Sequence, residues 1–292
     1  MSSTEQAAPR FSGIEDWPSE DLAAALLETQ LAAVAAAGAA RPALATAIDA
    51  CAARLARGGR LIYLGAGTSG RLAVLDAAEL PPTFDWPPER AVALMAGGPA
   101  AVTNAVEGAE DSESEAPAAL DALGLSDADV VIGVAASGRT PFVLAGIAHA
   151  RRIGALTLGV TSAPEAALAG AAEIALVAET GAEIIAGSTR MKAGTAQKVL
   201  LNCLSTGVMI RLGYVHRGRM VEMRPTNVKL RARAVAMVAD LTGENLVAAE
   251  TALDAGGTIK RAVVMLTLRL DAKAAEARLQ AAGGMLGKAL TG

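Results

Sequence analysis

The sequence predicts an α/β protein: a three-layer αβα sandwich on a five-stranded parallel sheet, flanked by N-terminal helices and a small C-terminal helical region. Two observations predict it. Five short apolar runs lie at 61–66 (LIYLGA), 91–97 (AVALMAG), 130–136 (VVIGVAA), 155–162 (ALTLGVTS) and 172–179 (AEIALVAE). None alternates apolar with polar residues, so each is expected to be covered on both faces, as parallel strands are. Helix-forming stretches alternate with these runs, which is the order of an α/β domain.

The elements follow in chain order. Residues 20–57 are alanine-rich and read as one or two helices, with Pro18 and Pro42 where helices begin. The strand–helix alternation then occupies 55–225. Beyond Pro225, ENLVAAETALDAGG, TIKRAVVMLTLRL and DAKAAEARLQAAGGMLGKAL read as three short helices separated by glycine or a capping Thr or Asp. The expected domains are 1–54, 55–225 and 226–292.

Composition narrows the function. The 292 residues are 52% apolar and carry a net charge of −4, enough for a globular core and without the basic stripe of a nucleic-acid binder. Charged residues at 19% argue against disorder. The N-terminus is acidic and has no signal-peptide core, and no run reaches the ~20 apolar residues of a membrane span. Cys51 and Cys203 are unpatterned, as suits reduced thiols in the cytoplasm. The two histidines and two cysteines show no zinc-ligand spacing, so neither metal nor cofactor is expected.

The first strand runs into Gly65-Ala66-Gly67-Thr68-Ser69-Gly70-Arg71, with G-x-G-x-x-G spacing. A dinucleotide site would add an acidic residue at the end of the second strand. Asp85 has the distance but sits in PPTFDWPP, read here as a proline-rich loop. Thr68 and Ser69 before a helix favour a cradle for a terminal phosphate; a plain strand–helix turn is the bland alternative. Strand three ends similarly in Ala136-Ser137-Gly138-Arg139-Thr140-Pro141, with Pro141 suited to a first helical position. Two such loops at parallel strand ends open into one crevice and point to a phosphorylated small molecule. A third segment, Gly187-Ser188-Thr189-Arg190-Met191-Lys192, precedes a long helix and offers two cations to an anion; solvated charges on a capped helix are the competing reading.

Acid–base chemistry falls to carboxylates. His149 lies near a helix end and reads as structural, and His216 follows the last core helix. Glu79, in DAAELPPT, is read as closing the first helix beside the proline-rich loop. Glu107, Glu110 and Asp111 form an acidic run after the second strand and would share one face if helical. Such runs are usually solvated, but two carboxylates with separated pKa values can serve as acid and base.

Four segments now stand together: LIYLGAGTSGRLAVLDAAELPPTF, AVEGAEDSE, VVIGVAASGRTPFVLAGIAHAR and GSTRMKAGTAQKVLLNCLSTGVMIRLG. They closely resemble the N-acetylmuramic acid 6-phosphate etherase family, whose members carry a sugar-isomerase (SIS) domain and are kin to the glucokinase regulatory protein. The resemblance is dense over 55–235. The N-terminus departs from it, with Thr4-Glu5-Gln6 followed by Ala7-Ala8, and Leu27-Glu28-Thr29-Gln30 in the first long helix. The resemblance implies loss of the D-lactyl ether by elimination and then hydration, without cofactor, in a cytoplasmic homodimer. It implies Glu79 as proton donor, kept protonated by partial burial under the PPTF segment, and Glu110 as second catalytic glutamate, the base at C2. Gly67, Thr68, Ser69, Ser137, Gly138 and Thr140, with Ser188 and Lys192, would hold phosphate and sugar. A phosphosugar isomerase and a non-enzymatic phosphosugar sensor are the alternatives. Scarce aromatics (2%) agree with a ligand gripped by its phosphate rather than stacked on rings.

Overall fold

The computed structural model describes residues 6–225 and 227–291. Thr4 and Glu5, where the N-terminus departs from the family pattern, lie outside the described residues. Two compact units emerge, one of Met1–Glu79 with Pro87–Val208, the other of Leu80–Trp86 with Met209–Gly292.

In the first unit, α1 (Ser19–Ala39) and α2 (Arg41–Leu55) come first, with Pro18 capping one and Pro42 in the first turn of the other. Then follow β1 (Leu61–Gly65), α3 (Gly67–Phe84), β2 (Ala91–Met95), α4 (Glu115–Ala122), β3 (Val130–Val134), α5 (Pro141–Ile153), β4 (Leu156–Thr161), α6 (Ala167–Ala171), β5 (Ile174–Val177) and α7 (Lys192–Arg211). The five strands are all parallel, in the order β2-β1-β3-β4-β5. Each expected run supplies one strand. Ile62, Leu64 and Val131 face Leu120, Val143 and Ile147 of α4 and α5. The alternate residue Tyr63 faces the other way, to Asp76 of α3, so the sheet is covered on both sides.

An ion pair between half-buried Arg60 and buried Asp129 fixes the strand starts. Arg60, just before β1, donates from Nε to Asp129 Oδ1 (3.0 Å) and from its terminal nitrogen to Oδ2 (2.7 Å), just before β3. The Arg60 and Ser126 backbone N–H groups add bonds of 2.9 and 2.8 Å. Burial on its own raises the Asp129 carboxyl, but the Arg60 guanidinium and these N–H groups outweigh it and hold its pKa below the ordinary range.

Three local expectations change. PPTF is not loop: Pro81 and Pro82 continue α3. The cost is two intrahelical bonds, those to the Ala77 and Ala78 carbonyls, and against it stands the burial of Leu80 and Phe84 in this last stretch. α1, of 21 residues, is long and apolar enough to cross a membrane by length and composition alone, although no such run is expected; between Leu22 and Ala39 only Glu28 is charged. It buries Ala25, Thr29, Ala33 and Ala37 on one face and exposes Leu27, Leu31 and Val34 on another.

The third change concerns the second unit, which holds a short β6–β7 hairpin (Val215–His216, Arg219–Met220) and five helices rather than three. They are α8 (Val228–Thr242), α9 (Leu246–Gly256), α10 (Ile259–Leu268), α11 (Ala272–Ala281) and α12 (Leu286–Thr291). Lys229, Arg231 and Arg233 obscure the apolar stripe of α8, and Gly283-Gly284, both with positive φ, divide the last segment in two. Asn227, Asn245, Thr258 and Asp271 cap α8 to α11 through their side chains.

Asp129→Asn is expected to lose about 3 kcal/mol at pH 7, the scale of a broken buried pair. Because the folded pKa is depressed, this stabilisation exists above the unfolded Asp value near 4 and vanishes as pH falls through the folded value. Denaturant titrations at pH 7 and pH 3 are expected to show a gap between wild type and variant that narrows in acid.

Candidate functional site

The site is built where β1 and β3 end. Gly65 pairs in register with Val134, so the loops that follow leave the sheet at one level. In the order β2-β1-β3-β4-β5 the strand order reverses between these two strands, which is where open α/β sheets bind ligands.

After β1, α3 starts at once. A Cβ on Gly65 would lie 2.7 Å from Gly70 backbone, and a Cβ on Gly70 would lie 2.8 Å from the Gly65 carbonyl oxygen. Only a glycine pair lets the helix start this close to the strand. The first-turn N–H groups at Gly67, Thr68 and Ser69 have no intrahelical acceptor and carry the positive end of the helix dipole. The dinucleotide alternative fails here: β2 ends in Met95-Ala96-Gly97, and Asp85 instead pairs with Arg224 at 2.6 Å.

After β3, Gly138 adopts φ +61, and a Cβ there would lie 2.4 Å from that of Ala166. The Ser137 Oγ accepts from the Arg139 N–H (3.3 Å). Pro141 takes the first turn of α5, and the Thr140 hydroxyl makes no capping bond.

Arg71 and the acidic run close the other side. The Arg71 guanidinium donates to the carbonyls of Val102 (2.9 Å), Ala101 (3.0 Å) and Asn104 (3.2 Å), which fastens that turn to α3. The result is an open cavity of about 340 Å³ lined by Gly67, Arg71, Ala96, Glu107 and Glu110. Residues 109–111 form a 3-10 turn rather than an α-helix, because Gly108 enters it with positive φ. Glu107 and Glu110 still face one space. Glu79 lies on α3, exposed to solvent, so PPTF does not bury it as expected.

α7 meets α3 from behind. The Ser69 hydroxyl donates to Gln197 Oε1 (2.8 Å), and Asp76 joins three elements. Its carboxylate accepts from the Tyr63 hydroxyl (2.9 Å), Asn202 Nδ2 (2.8 Å) and the Ser205 hydroxyl (3.1 Å). Burial, then the Asp76 charge, pushes the Tyr63 phenol well above its ordinary pKa, so it stays a neutral donor. The start of α7 is already filled: the buried Glu183 carboxylate accepts from the N–H groups of Lys192 (3.0 Å) and Ala193 (2.9 Å). Lys192 is itself buried, its ammonium donating to the Thr180 carbonyl at 2.7 Å. Ser188 is half-buried in the preceding turn, and Arg190 is exposed.

Neither histidine lines this cavity. His149 pairs with Asp121 (2.7 Å) on the far part of α5, and His216 lies in the β6–β7 hairpin of the other unit. Burial, then the charge of Arg217, lowers the pKa of His216. Arg71, Asp76, Glu183 and Gln197 are the positions the sequence reading passes over. Glu183 carries a usable signal: an acid between Ala182 and Ile184, four residues before Gly187 and nine before the start of α7.

The chain matches known proteins across its length. The family model for the glucokinase regulatory protein N-terminal SIS domain matches residues 43–151. An N-acetylmuramic acid 6-phosphate etherase of Deinococcus radiodurans is 50% identical over 96% of this chain and 92% of its own. The chain belongs to the N-acetylmuramic acid 6-phosphate etherase family. A second etherase, from Streptomyces coelicolor, is 49% identical over 98% of this chain and 93% of its own. At the level of fold, a phosphoheptose isomerase from Francisella tularensis superposes with a TM-score of 0.50 at 22% identity, over 66% of this chain and 98% of that one. The SIS fold expected from the motifs is thus the fold of this etherase-family chain.

Asp76→Ala leaves three donors without their acceptor, and the expected loss is about 3 kcal/mol in urea unfolding. An equally stable variant would remove Asp76 as the clamp between α3, β1 and α7.

Proposed function

We propose that this protein cleaves the D-lactyl ether of N-acetylmuramic acid 6-phosphate with water, giving N-acetylglucosamine 6-phosphate and D-lactate. It would act as a carbon–oxygen lyase of amino-sugar and peptidoglycan recycling, in the cytoplasm. The observation that carries the reading is a carboxylate, Glu110, and an open helix start, at Gly67, facing one cavity in a chain of the etherase family.

The chemistry assigns a role to each residue. The N–H groups and hydroxyls at Gly67, Thr68 and Ser69 receive the phosphate, as helix starts do. Ser137, Gly138 and Thr140 meet the sugar from the neighbouring loop, with Ser188 and Lys192 at its margin. In the open-chain sugar the C1 aldehyde acidifies the C2 proton. Glu110 takes that proton, the C3–oxygen bond breaks, and Glu79 gives the departing lactyl oxygen a proton. The products are lactate and an unsaturated aldehyde. Water adds back across this double bond, hydroxyl to C3 and proton to C2. An acid at neutral pH needs desolvation; Glu79 is exposed in the single chain, so substrate or a second subunit must supply it.

A homodimer is part of the proposal. What supports it is the α1 stripe, where Leu27, Leu31 and Val34 are 69%, 73% and 49% exposed at helical spacing. A self-complementary contact between two copies would cover it.

Purified protein is expected to release D-lactate from N-acetylmuramic acid 6-phosphate with no added metal or nucleotide; a rate equal to the blank would overturn the reading. Glu79→Gln and Glu110→Gln are each expected to lower kcat by about 10²–10⁴-fold, and Glu110→Gln also to stop solvent exchange at C2. Light scattering is expected to give twice the chain mass, and Leu31→Glu the single mass. A monomeric wild type would refute the dimer.

A further inference from the structure

We infer that Gln197 is a positioning residue for anion recognition: its carboxamide donates to the Ser69 oxygen when the anion is bound, which frees the Ser69 proton for that anion. This rests on the phosphosugar reading above. Gln197 is 1% exposed and Ser69 8% exposed, so the carboxamide is closed to solvent while Ser69 stands at the edge of the accessible surface. Without ligand, Ser69 Oγ donates to Gln197 Oε1 at 2.8 Å. A hydroxyl has one proton and two acceptor lone pairs, so in that state Ser69 has no proton left to give. The Gln197 Nε2 is meanwhile buried with no hydrogen-bond partner.

A carboxamide has two orientations of nearly identical shape. Half a turn about its terminal bond sets Nε2 where Oε1 was, 2.8 Å from the Ser69 oxygen. The orphaned N–H donor then has an acceptor. The amide oxygen loses the Ser69 donor in exchange, so without an anion to accept the Ser69 proton this orientation gains nothing. The Ser69 proton, no longer held, turns toward the first turn of α3, where a phosphate oxygen gives it a charge-assisted bond. The anion thereby selects the second orientation, and the two states differ only by an amide flip and a hydroxyl rotation.

Other groups at this point leave the assignment intact. Thr68 contributes a methyl beside Gly194, where an added Cβ would sit 3.4 Å from it. The start of α7 is closed by Glu183, so Gln197 cannot act by binding the anion there. Its reach to the anion runs through Ser69.

The test is a double-mutant cycle read by calorimetry with inorganic phosphate and by steady-state lactate release. Gln197→Leu is expected to weaken phosphate binding about tenfold and to raise KM similarly, while kcat changes by less than about threefold. Ser69→Ala should do the same. The double variant should be no more than about twofold worse than either single, since both remove one interaction. Gln197→Met serves if the leucine variant does not fold as judged by circular dichroism. Unchanged phosphate affinity in the Gln197 variant, or losses that multiply in the double variant, would overturn the inference. If wild type binds phosphate and shows this coupling but releases no lactate, the etherase reading fails and the inference stands. A wild type that binds no phosphate overturns the inference as well.

Discussion

Backbone touches backbone where Gly65 ends β1 and Gly70 closes the first turn of α3, and the rest of the site depends on that contact. Any side chain at either position would collide with the other's main chain. The contact sets the free N–H groups of α3 at the end of the sheet and brings Ser69 within reach of Gln197. It also places Arg71 where its guanidinium can hold the 101–104 carbonyls. The acidic run then follows that turn to Glu110. Moving the helix start outward would separate these N–H groups from Glu110, with which Gly67 shares the cavity.

The carboxylates divide by environment. Asp76, Asp129 and Glu183 are buried, and each accepts several directed hydrogen bonds. They are structural anions, costly to bury and stabilising only because their partners are complete. Glu79 and Glu110 are exposed and face solvent or the cavity. On the proposed reading Glu79 and Glu110 are the reacting carboxylates, which must remain free to exchange protons, so the two groups differ in what the fold asks of them.

Much of the fold was legible because parallel strands buried on both faces leave continuous apolar runs. Residues 61–65, 91–95, 130–134, 156–161 and 174–177 all fall inside the expected segments. The loops at Gly65–Arg71 and Ala136–Pro141 were legible through their glycines and hydroxyls. Long-range polar contacts were not. Ser69 to Gln197 spans 128 positions and Asp76 to Ser205 spans 129, and no local pattern marks such a pairing. The prolines at 81 and 82 misled for the opposite reason: their local rule was strong, but the buried side chains of Leu80 and Phe84 hold this stretch in α3 despite the lost bonds. The charge-studded α8 was lost because its arginines and lysine broke the apolar period used to find helices.

The buried Glu183 bears on stoichiometry. Of the two helix starts linked through Ser69 and Gln197, that of α7 holds an anion encoded in the chain itself. Such a built-in occupant never dissociates, so a soluble phosphate has no second berth there. On the proposed reading a phosphosugar has one way round in the crevice, with its charged end at α3 and its reacting carbons directed toward the acidic turn. Orientation is then settled by exclusion as much as by attraction.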